Sequence, residues 1–248
     1  CTGSVRSSIT AMKKRRIAAR SLLTGLIVGV LVLVLCPKPS LYGDTSFSVA
    51  VLDHEGRLLR LALAEDERYR LRTRLSDIDR TAIEATLHYE DQHFYRHPGF
   101  NPASLVRATW STYIRRTRPL GASTITMQLA RMRFDMNTRT VGGKLTQLAR
   151  AIQIERHYSK DDILEAYLNL APYGGNIEGI GTAALIYFDK LPSALSKPEA
   201  MALAVIPQNP VARDLTTTDG YAAMSAARSR LFETWQDAEH DTMPRAQM

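Results

Sequence analysis

An apolar stretch near the start of the chain limits how the rest of it can fold. Residues 17–36 read IAARSLLTGLIVGVLVLVLC, and Arg20 is the one charged residue among them. About 20 predominantly apolar residues are enough to cross the hydrocarbon core of a bilayer as a helix, and an arginine near the helix end can extend to the interface. We therefore predict a transmembrane anchor over residues 17–36, with the remaining chain folding beside a membrane.

The residues before this stretch predict its orientation. Residues 1–16 carry five Lys or Arg and no acid, and positive charge marks the cytoplasmic side of a membrane span. We expect a cytoplasmic tail over residues 1–16 and a folded domain on the outer side. A cleaved signal peptide is the alternative, but CPKPS follows the apolar stretch in place of a small-residue cleavage site. Because most of the net charge of +7 lies in the first twenty residues, we expect no nucleic-acid partner.

The chain beyond the anchor has the pattern of a mainly helical domain. Residues 37–45 resemble a linker, and alternating apolar residues on both sides of residues 53–56 predict a β-hairpin. Further on, three serines each stand three residues before an acid, as in a helix capping box: Ser76 with Asp79, Ser159 with Asp162, and Ser196 with Glu199. We assign residues 46–215 to one domain and residues 216–248 to a C-terminal amphipathic helix and tail.

The segment EDQHFYRHPG, which begins at Glu90, contains side chains suited to two kinds of chemistry. His93 and His97 have the spacing of two zinc ligands on one helical face, but the H-E-x-x-H order is absent and no third ligand is evident. Acid–base chemistry is the alternative. On a continuous helix Phe94 would lie beside Glu90, and burial there, with Asp91 close by, would raise the Glu90 pKa and improve it as a base. A purely structural role as a cap or ion-pair partner stays open.

A second segment, GASTITMQLARMRF from Gly121 onward, combines small, hydroxyl and amide residues with cations. Such groups suit a diphosphate and sugar hydroxyls. Between Ser104 and Arg150 there are nine Lys or Arg and one acid, and a solvated face or a face resting on anionic lipid explains part of this run equally well. The candidate binding residues are Ser123, Thr124, Gln128, Arg131, Arg139 and Lys144.

A third segment, SKDDILEAYLNLAPYGGNIEGI, begins as a capped helix that carries Glu165. Gly174, Gly175 and Gly179 follow and end the helical pattern. Taken alone, Glu165 is typical of an acid on a helix surface.

Together and in this order, these segments resemble the peptidoglycan glycosyltransferase domain, glycosyltransferase family 51, of class A penicillin-binding proteins and monofunctional transglycosylases. The matching segments are EDQHFYRHPG, GASTITMQLAR, GGKLTQ, ILEAYLNLAPYGGNIEGI and KPEAMALAVIPQNP, within about residues 45–215. TMQLAR and NLAPYGGNIEG are most similar to the 1C type of penicillin-binding protein. The resemblance implies a mainly α, lysozyme-like domain with a small jaw lobe, a short β-hairpin and a preceding transmembrane helix.

The resemblance also implies residue roles and partners. Glu90 would deprotonate the 4-hydroxyl of an acceptor sugar, which attacks lipid II with inversion and releases undecaprenyl diphosphate. Glu165 would assist at the diphosphate with a divalent cation, Mg²⁺ or Mn²⁺; no dedicated metal ligands and no organic cofactor are expected. The expected partners are lipid II, the growing glycan strand, the membrane and other cell wall synthesis proteins. The expected location is the periplasmic side of the bacterial cytoplasmic membrane.

The sequence departs from the family pattern in its cation motifs. Arg131 stands where many members have lysine, and Gly143–Gln147 lacks one cation and one acid of the usual third motif. Some of these differences match the 1C type, so we interpret them as subfamily features. The alternatives are a lysozyme-like lytic transglycosylase and an inactive lipid II-binding scaffold. The sequence contains neither S-x-x-K nor K-T-G, which predicts a monofunctional enzyme or a fragment without a transpeptidase domain.

Overall fold

The computed structural model describes residues 36–55, 57–101 and 123–242, with side chains described as far as residue 236. Contacts divide the chain into residues 1–38 and a larger unit, Pro39–Met248. The predicted cytoplasmic tail and nearly all of the predicted anchor lie outside the described residues. Within the described ranges, no helix combines the length and the apolar character that a membrane crossing requires.

The larger unit is mainly helical, as predicted. Its described α-helices, numbered in chain order, are α1 (Arg80–Glu90), α2 (Ile125–Arg133), α3 (Val141–His157), α4 (Lys160–Leu170), α5 (Ile180–Phe188), α6 (Lys197–Val205) and α7 (Thr218–Thr242). Short 3₁₀ turns occur at Leu75–Asp77, Phe94–Arg96, Pro192–Ala194 and Ile206–Gln208. The predicted C-terminal helix is α7, whereas the predicted domain boundaries remain predictions.

The core is built around α4, whose apolar side chains are almost completely buried. Ile163, Leu164 and Leu168 of this helix have no exposed surface, and α2 packs against it with Ile125 and Leu129 equally buried. On another side of the core, α1 packs extensively against α6. Small side chains at buried positions of these two helices allow a close approach of their backbones: Ala82, Ala85, Ala200 and Ala204.

The β-structure consists of two small sheets. The predicted hairpin is confirmed: β1 (Ala50–Leu52) pairs antiparallel with β2 (Leu58–Leu61). A second sheet was not predicted, and its strand order is β3 (Tyr69–Arg70), β5 (Ile177–Glu178), β4 (Pro172–Gly174). Its strands are two or three residues long, too short to show an alternating pattern in the sequence.

Buried Arg70 links β3 to β5 in this second sheet. Its guanidinium donates hydrogen bonds to the Glu178 carboxylate at 2.9 and 2.6 Å and to Asp66 at 3.0 Å. A buried cation needs such partners because desolvation without them costs several kcal/mol, on the order of 3 or more. These hydrogen bonds fix the position of Arg70, from which the next residues of the chain continue.

Two of the three predicted capping boxes are confirmed. Ser159 and Ser196 both form reciprocal side-chain and backbone hydrogen bonds with the acid three residues later. The prediction for Ser76 was wrong, because α1 begins at Arg80 and its cap is Asp79, whose carboxylate accepts from the backbone N–H of Thr81 at 2.8 Å. Ser76 belongs instead to the 3₁₀ turn before that cap.

Candidate active site

Glu90 is the last residue of α1, and its two carboxylate oxygens have different surroundings. Oε2 accepts a hydrogen bond of 2.6 Å from the side-chain amide of Gln128 on α2. Oε1 is buried and has no hydrogen-bond partner among the described residues. A buried carboxylate oxygen without a donor is costly in a folded protein and is typical of functional sites. One oxygen is thus held in place, while no hydrogen bond from a described residue occupies the other.

Burial raises the pKa of the Glu90 carboxyl above its ordinary value, because desolvation disfavours the charged form. The hydrogen bond from Gln128 and the positive charges of Arg213 and Arg131 act in the opposite direction, while the negative charge of Asp91 adds to the increase. The predicted direction of this shift is confirmed. A base with a raised pKa is better matched to proton abstraction near neutral pH.

Two buried tyrosines interact electrostatically with Glu90. Tyr167 on α4 and Tyr173 on β4 are both buried, and burial together with the negative charge of Glu90 raises the pKa of each phenol. Both tyrosines therefore stay protonated and neutral throughout the physiological range. Such neutral, low-polarity neighbours explain why Glu90 is strongly desolvated at the end of a helix.

The predicted helical arrangement of the segment after Glu90 was wrong. Because α1 ends at Glu90, His93 and His97 do not lie one turn apart on an α-helix, and Phe94 is not on the same helical face as Glu90. His97 Nε2 instead lies 2.9 Å from a carboxylate oxygen of Asp91, and both side chains are buried. The helical zinc-ligand interpretation therefore has no structural basis.

The Asp91–His97 pair has a positional role that the sequence did not reveal. Asp91 Oδ2 also accepts a hydrogen bond of 3.1 Å from the backbone N–H of Ile125, the first residue of α2. A carboxylate at the beginning of a helix is favoured by the free N–H groups there. Asp91 thereby ties the end of α1 to the start of α2, which brings Glu90 and Gln128 together.

The start of α2 also positions the predicted polar residues. Thr124 is the N-cap of α2: its hydroxyl oxygen accepts from the backbone N–H of Met127 at 3.2 Å and its O–H donates to the carbonyl of Gly99 at 2.7 Å. Ser123, one residue earlier, accepts a hydrogen bond of 3.0 Å from the ammonium of Lys144 on α3. Thr124 is therefore buried as a cap, whereas Ser123 and Lys144 form a polar pair.

Cations are grouped near this pair. Partial burial, together with the positive charge of Arg131, lowers the pKa of the Lys144 ammonium. Two like charges that destabilise each other in this way favour an anion between or beside them. Arg139 is exposed in the connection between α2 and α3, and its backbone N–H donates to the Asn137 side chain at 3.1 Å.

Gln147, the residue in place of the usual third-motif acid, is buried on α3. Its amide nitrogen donates to the backbone carbonyl of Met127 at 2.6 Å, so it joins α3 to α2. An ionised glutamate could not donate this bond, and its charge would face a carbonyl oxygen. The amide thus fits this position better than a carboxylate would.

Glu165 lies on α4 and lines an open cleft of about 900 Å³ with Arg72, Arg74, Ser76 and Asp161. Its Oε2 accepts a hydrogen bond of 2.9 Å from the backbone N–H of Leu75. The lining residues of this cleft do not include Glu90. The structure therefore gives the two predicted catalytic glutamates separate surroundings.

Buried Asn169, one turn after Glu165, holds the segment around Thr73, whose neighbours line this cleft. Its carboxamide oxygen accepts from the backbone N–H of Thr73 at 2.7 Å, and its nitrogen donates to the carbonyls of Thr73 and Glu165 at 2.8 Å each. Together with the bond from Leu75, this holds the segment in register with α4.

The oxygen donors in this cleft fit a divalent cation that also binds phosphate. Asp161 and Glu165 are four residues apart on α4, hence on the same helical face. Mg²⁺ commonly takes one or two carboxylates and completes its shell with substrate phosphates and water. Among the described residues no group of three or more His, Cys, Asp or Glu could hold a metal, so phosphate oxygens and water would complete the shell.

Comparison with known proteins decides the family. A family model described as Transglycosylase matches residues 55–235. The chain belongs to the transglycosylase family. It is 47% identical over 136 residues to penicillin-binding protein 1C of Escherichia coli (strain K12), which covers 55% of this chain and 18% of that protein. It is 35% identical over 186 residues to penicillin-binding protein 4 of Bacillus subtilis (strain 168), covering 75% of this chain and 29% of that protein.

Among solved structures, penicillin-binding protein 1A from Haemophilus influenzae matches with a TM-score of 0.41 and 15% sequence identity, over 82% of this chain and 20% of that chain. The transglycosylase chain spans less than a third of the length of each of these relatives. The resemblance to family 51 and to the 1C type, drawn from five short segments, is confirmed.

The sequence motifs of the transglycosylase did not reveal Arg213. This residue follows the Ile206–Gln208 turn, and its charge acts on Glu90 from outside every recognised motif. The signal available in the sequence was one arginine just after KPEAMALAVIPQNP, and a single arginine in a loop is too common to single out. The contacts of Arg213 with Gln208 and Tyr89 became visible only in the folded chain.

Proposed function

We propose that this transglycosylase domain polymerises lipid II into β-1,4-linked glycan strands of peptidoglycan, with release of undecaprenyl diphosphate. The observation that carries the proposal is Glu90: one oxygen is oriented by Gln128, the other is buried without a partner, and burial raises the pKa of the carboxyl. This is the arrangement expected of a general base. The family match and the relatives named as penicillin-binding proteins support the same chemistry.

Glu90 would act on the acceptor sugar. Its carboxylate accepts the proton of the 4-hydroxyl as that hydroxyl oxygen forms a bond to the anomeric carbon of the donor. The bond from the anomeric carbon to the diphosphate oxygen breaks on the opposite face, so the configuration inverts and the diphosphate leaves with the bonding electrons. Gln128 keeps the carboxylate oriented during this step, because its hydrogen bond fixes Oε2.

The cations Lys144, which donates to Ser123, and Arg131, which acts on Lys144, would hold the leaving diphosphate. Negative charge grows on that group as the anomeric bond breaks, so fixed cations stabilise the transition state more than the ground state. Lys144 and Arg131 are the central candidates because each electrostatically disfavours the other until an anion is present. The proposed binding set is Ser123, Thr124, Gln128, Arg131, Arg139 and Lys144, with Thr124 contributing as the helix cap that positions Ser123.

Glu165 would act at the diphosphate side with a divalent cation, Mg²⁺ or Mn²⁺. Glu165 and Asp161 are the residues that would hold it, and the ion would supply positive charge to the phosphate oxygens. The carboxylate of Glu165 also accepts from Leu75 N–H, which keeps it directed along the cleft.

The wider setting follows from the predicted anchor and the family. A lysozyme-like helical lobe with a small jaw beside the membrane would receive lipid II from the outer leaflet. We propose that the domain works on the periplasmic side of the bacterial cytoplasmic membrane, together with other cell wall synthesis proteins. The apolar stretch at residues 17–36 supports this arrangement.

The decisive experiment incubates the full chain with labelled lipid II in the presence of Mg²⁺ and separates the products by size. We expect long glycan strands and free undecaprenyl diphosphate. A parallel incubation with preformed glycan distinguishes the lytic alternative, because cleavage there would contradict the proposal. Binding of lipid II without any polymer would favour the scaffold instead.

A further inference from the structure

Arg213 is held against the protein by a small network next to the end of α1. Its Nη1 donates to the backbone carbonyl of Val205, and its Nη2 donates to Oε1 of Gln208 at 3.0 Å. The hydroxyl of Tyr89 donates to the same Gln208 oxygen at 2.7 Å, and the guanidinium carbon lies 5.7 Å from the centre of the Tyr89 ring. A guanidinium with two protein acceptors and an aromatic neighbour has little freedom to leave its place.

This network lies beside the proposed general base. Tyr89 is the residue before Glu90 in the last turn of α1, so the anchor of Arg213 and the carboxylate share one helix end. The charge of Arg213 acts on the Glu90 carboxyl in the direction that favours ionisation. Gln208 receives hydrogen bonds from both Arg213 and Tyr89, and it therefore links the loop after α6 to α1.

We propose that Arg213 is a positioning residue which, through Gln208 and Tyr89, fixes a positive charge beside Glu90 and favours its proton-accepting form. This inference rests on the proposed role of Glu90 as the general base. Arg213 does not hydrogen-bond to Glu90 in the described structure, so its action is electrostatic.

Other charged and titratable groups also affect the ionisation of Glu90. Asp91 from the same chain segment opposes ionisation, and the buried phenols of Tyr167 and Tyr173 face it from α4 and β4. Arg131 from α2 favours ionisation, but its exposed side chain lies beside Lys144 and is proposed to bind the diphosphate. Arg213 is bound to the protein itself, and so its charge stays beside Glu90 when Arg131 engages the substrate.

The test compares Arg213→Gln and Arg213→Lys with Arg230→Gln, a change at an exposed arginine on α7. Two quantities are measured in the full chain: the titration of the Glu90 carboxyl by ¹³C NMR, assigned with Glu90→Gln, and the pH profile of polymerisation. We expect Arg213→Gln to raise the titration midpoint and to lower kcat at neutral pH at least about threefold, with KM within about twofold. Arg213→Lys and Arg230→Gln should resemble the wild type.

An unchanged Glu90 midpoint in Arg213→Gln would overturn the proposal, and so would Arg213→Lys behaving like Arg213→Gln, because the charge would then not be the cause. If Arg213→Gln does not fold, Gln208→Leu removes one anchor and should raise the midpoint by a smaller amount; no change there would count against the proposal. The NMR titration needs no turnover. A wild type that does not polymerise lipid II would therefore contradict the proposed function alone.

Discussion

Glu90 and Glu165 are the same residue type, both on helices of one core, yet their surroundings differ in almost every respect. Glu90 is desolvated, has one oxygen without a partner and is electrostatically coupled to two arginines and two buried tyrosines. Glu165 lines an open cleft and accepts a hydrogen bond from a backbone N–H. The first environment prepares a carboxylate to take up a proton, whereas the second prepares one to hold a segment or a cation. Chemical role follows from environment rather than from residue type.

The largest effect is expected at Glu90. Glu90→Gln keeps the size of the side chain but removes the proton acceptor, and the loss of a general base commonly lowers the rate by about 10²–10⁴-fold. The measurement is glycan polymer formed from labelled lipid II, with circular dichroism melting to verify the fold. Substantial polymer from a well-folded Glu90→Gln protein would end the assignment of Glu90.

The second prediction concerns Glu165 and separates it from Glu90. Glu165→Gln retains an oxygen that can accept from Leu75 N–H, so the fold should survive, but a neutral amide binds a divalent cation poorly. We expect a strong loss of polymerisation, smaller than in Glu90→Gln and partly restored by higher Mg²⁺. A Glu165→Gln protein whose activity equals the wild type at every Mg²⁺ concentration would show that Glu165 is structural only.

The third prediction tests whether the cations of the proposed binding set serve the leaving group. Lys144→Ala and Arg139→Ala should each lower kcat/KM by at least about tenfold, which corresponds to roughly 1.4 kcal/mol of transition-state stabilisation. Arg230→Ala on the exposed side of α7 is the control and should have little effect. Near-normal kinetics in Lys144→Ala would indicate that the cluster is a lipid-facing patch.

The fourth prediction tests the hydrogen bonds by which Asn169, one turn after Glu165, holds Thr73. Asn169→Ala leaves the buried N–H and carbonyl of Thr73 without their partner, and a buried unsatisfied group costs about 1–3 kcal/mol of unfolding free energy. Asn176→Ala is the matched control, because that exposed side chain makes one hydrogen bond of 3.1 Å to a carbonyl. Equal melting temperatures for the two variants would contradict the importance of Asn169 for the cleft.

The sequence predicted local features well where one short segment carries the whole signal. The hairpin and the boxes at Ser159 and Ser196 depend on neighbours close in the sequence. The direction of the Glu90 pKa shift was also predicted, although the side chains that act on the buried carboxyl include Gln128 and Arg213, which are distant in the sequence. The end of α1 was not predictable in this way. Asp91 leaves the helix to pair with His97 and with Ile125 N–H, and the second of these contacts spans 34 residues of sequence.

The position of Arg213 beside Glu90 was unpredictable for the same reason, since it depends on packing between α1 and the loop after α6. The three-stranded sheet was missed because strands of two or three residues carry no periodic pattern. Long-range contacts determine this site, and a motif cannot show them.

The pH dependence of kcat/KM for polymerisation by the wild-type chain tests the central claim most directly. Glu90 must be ionised to accept a proton, and burial raises its pKa, so activity should fall as the pH drops through that raised value. The account predicts an acid limb with a midpoint clearly above about 4.3, the ordinary value for glutamate. A rate that stays constant down to that ordinary value would contradict the claim that a desolvated Glu90 is the base.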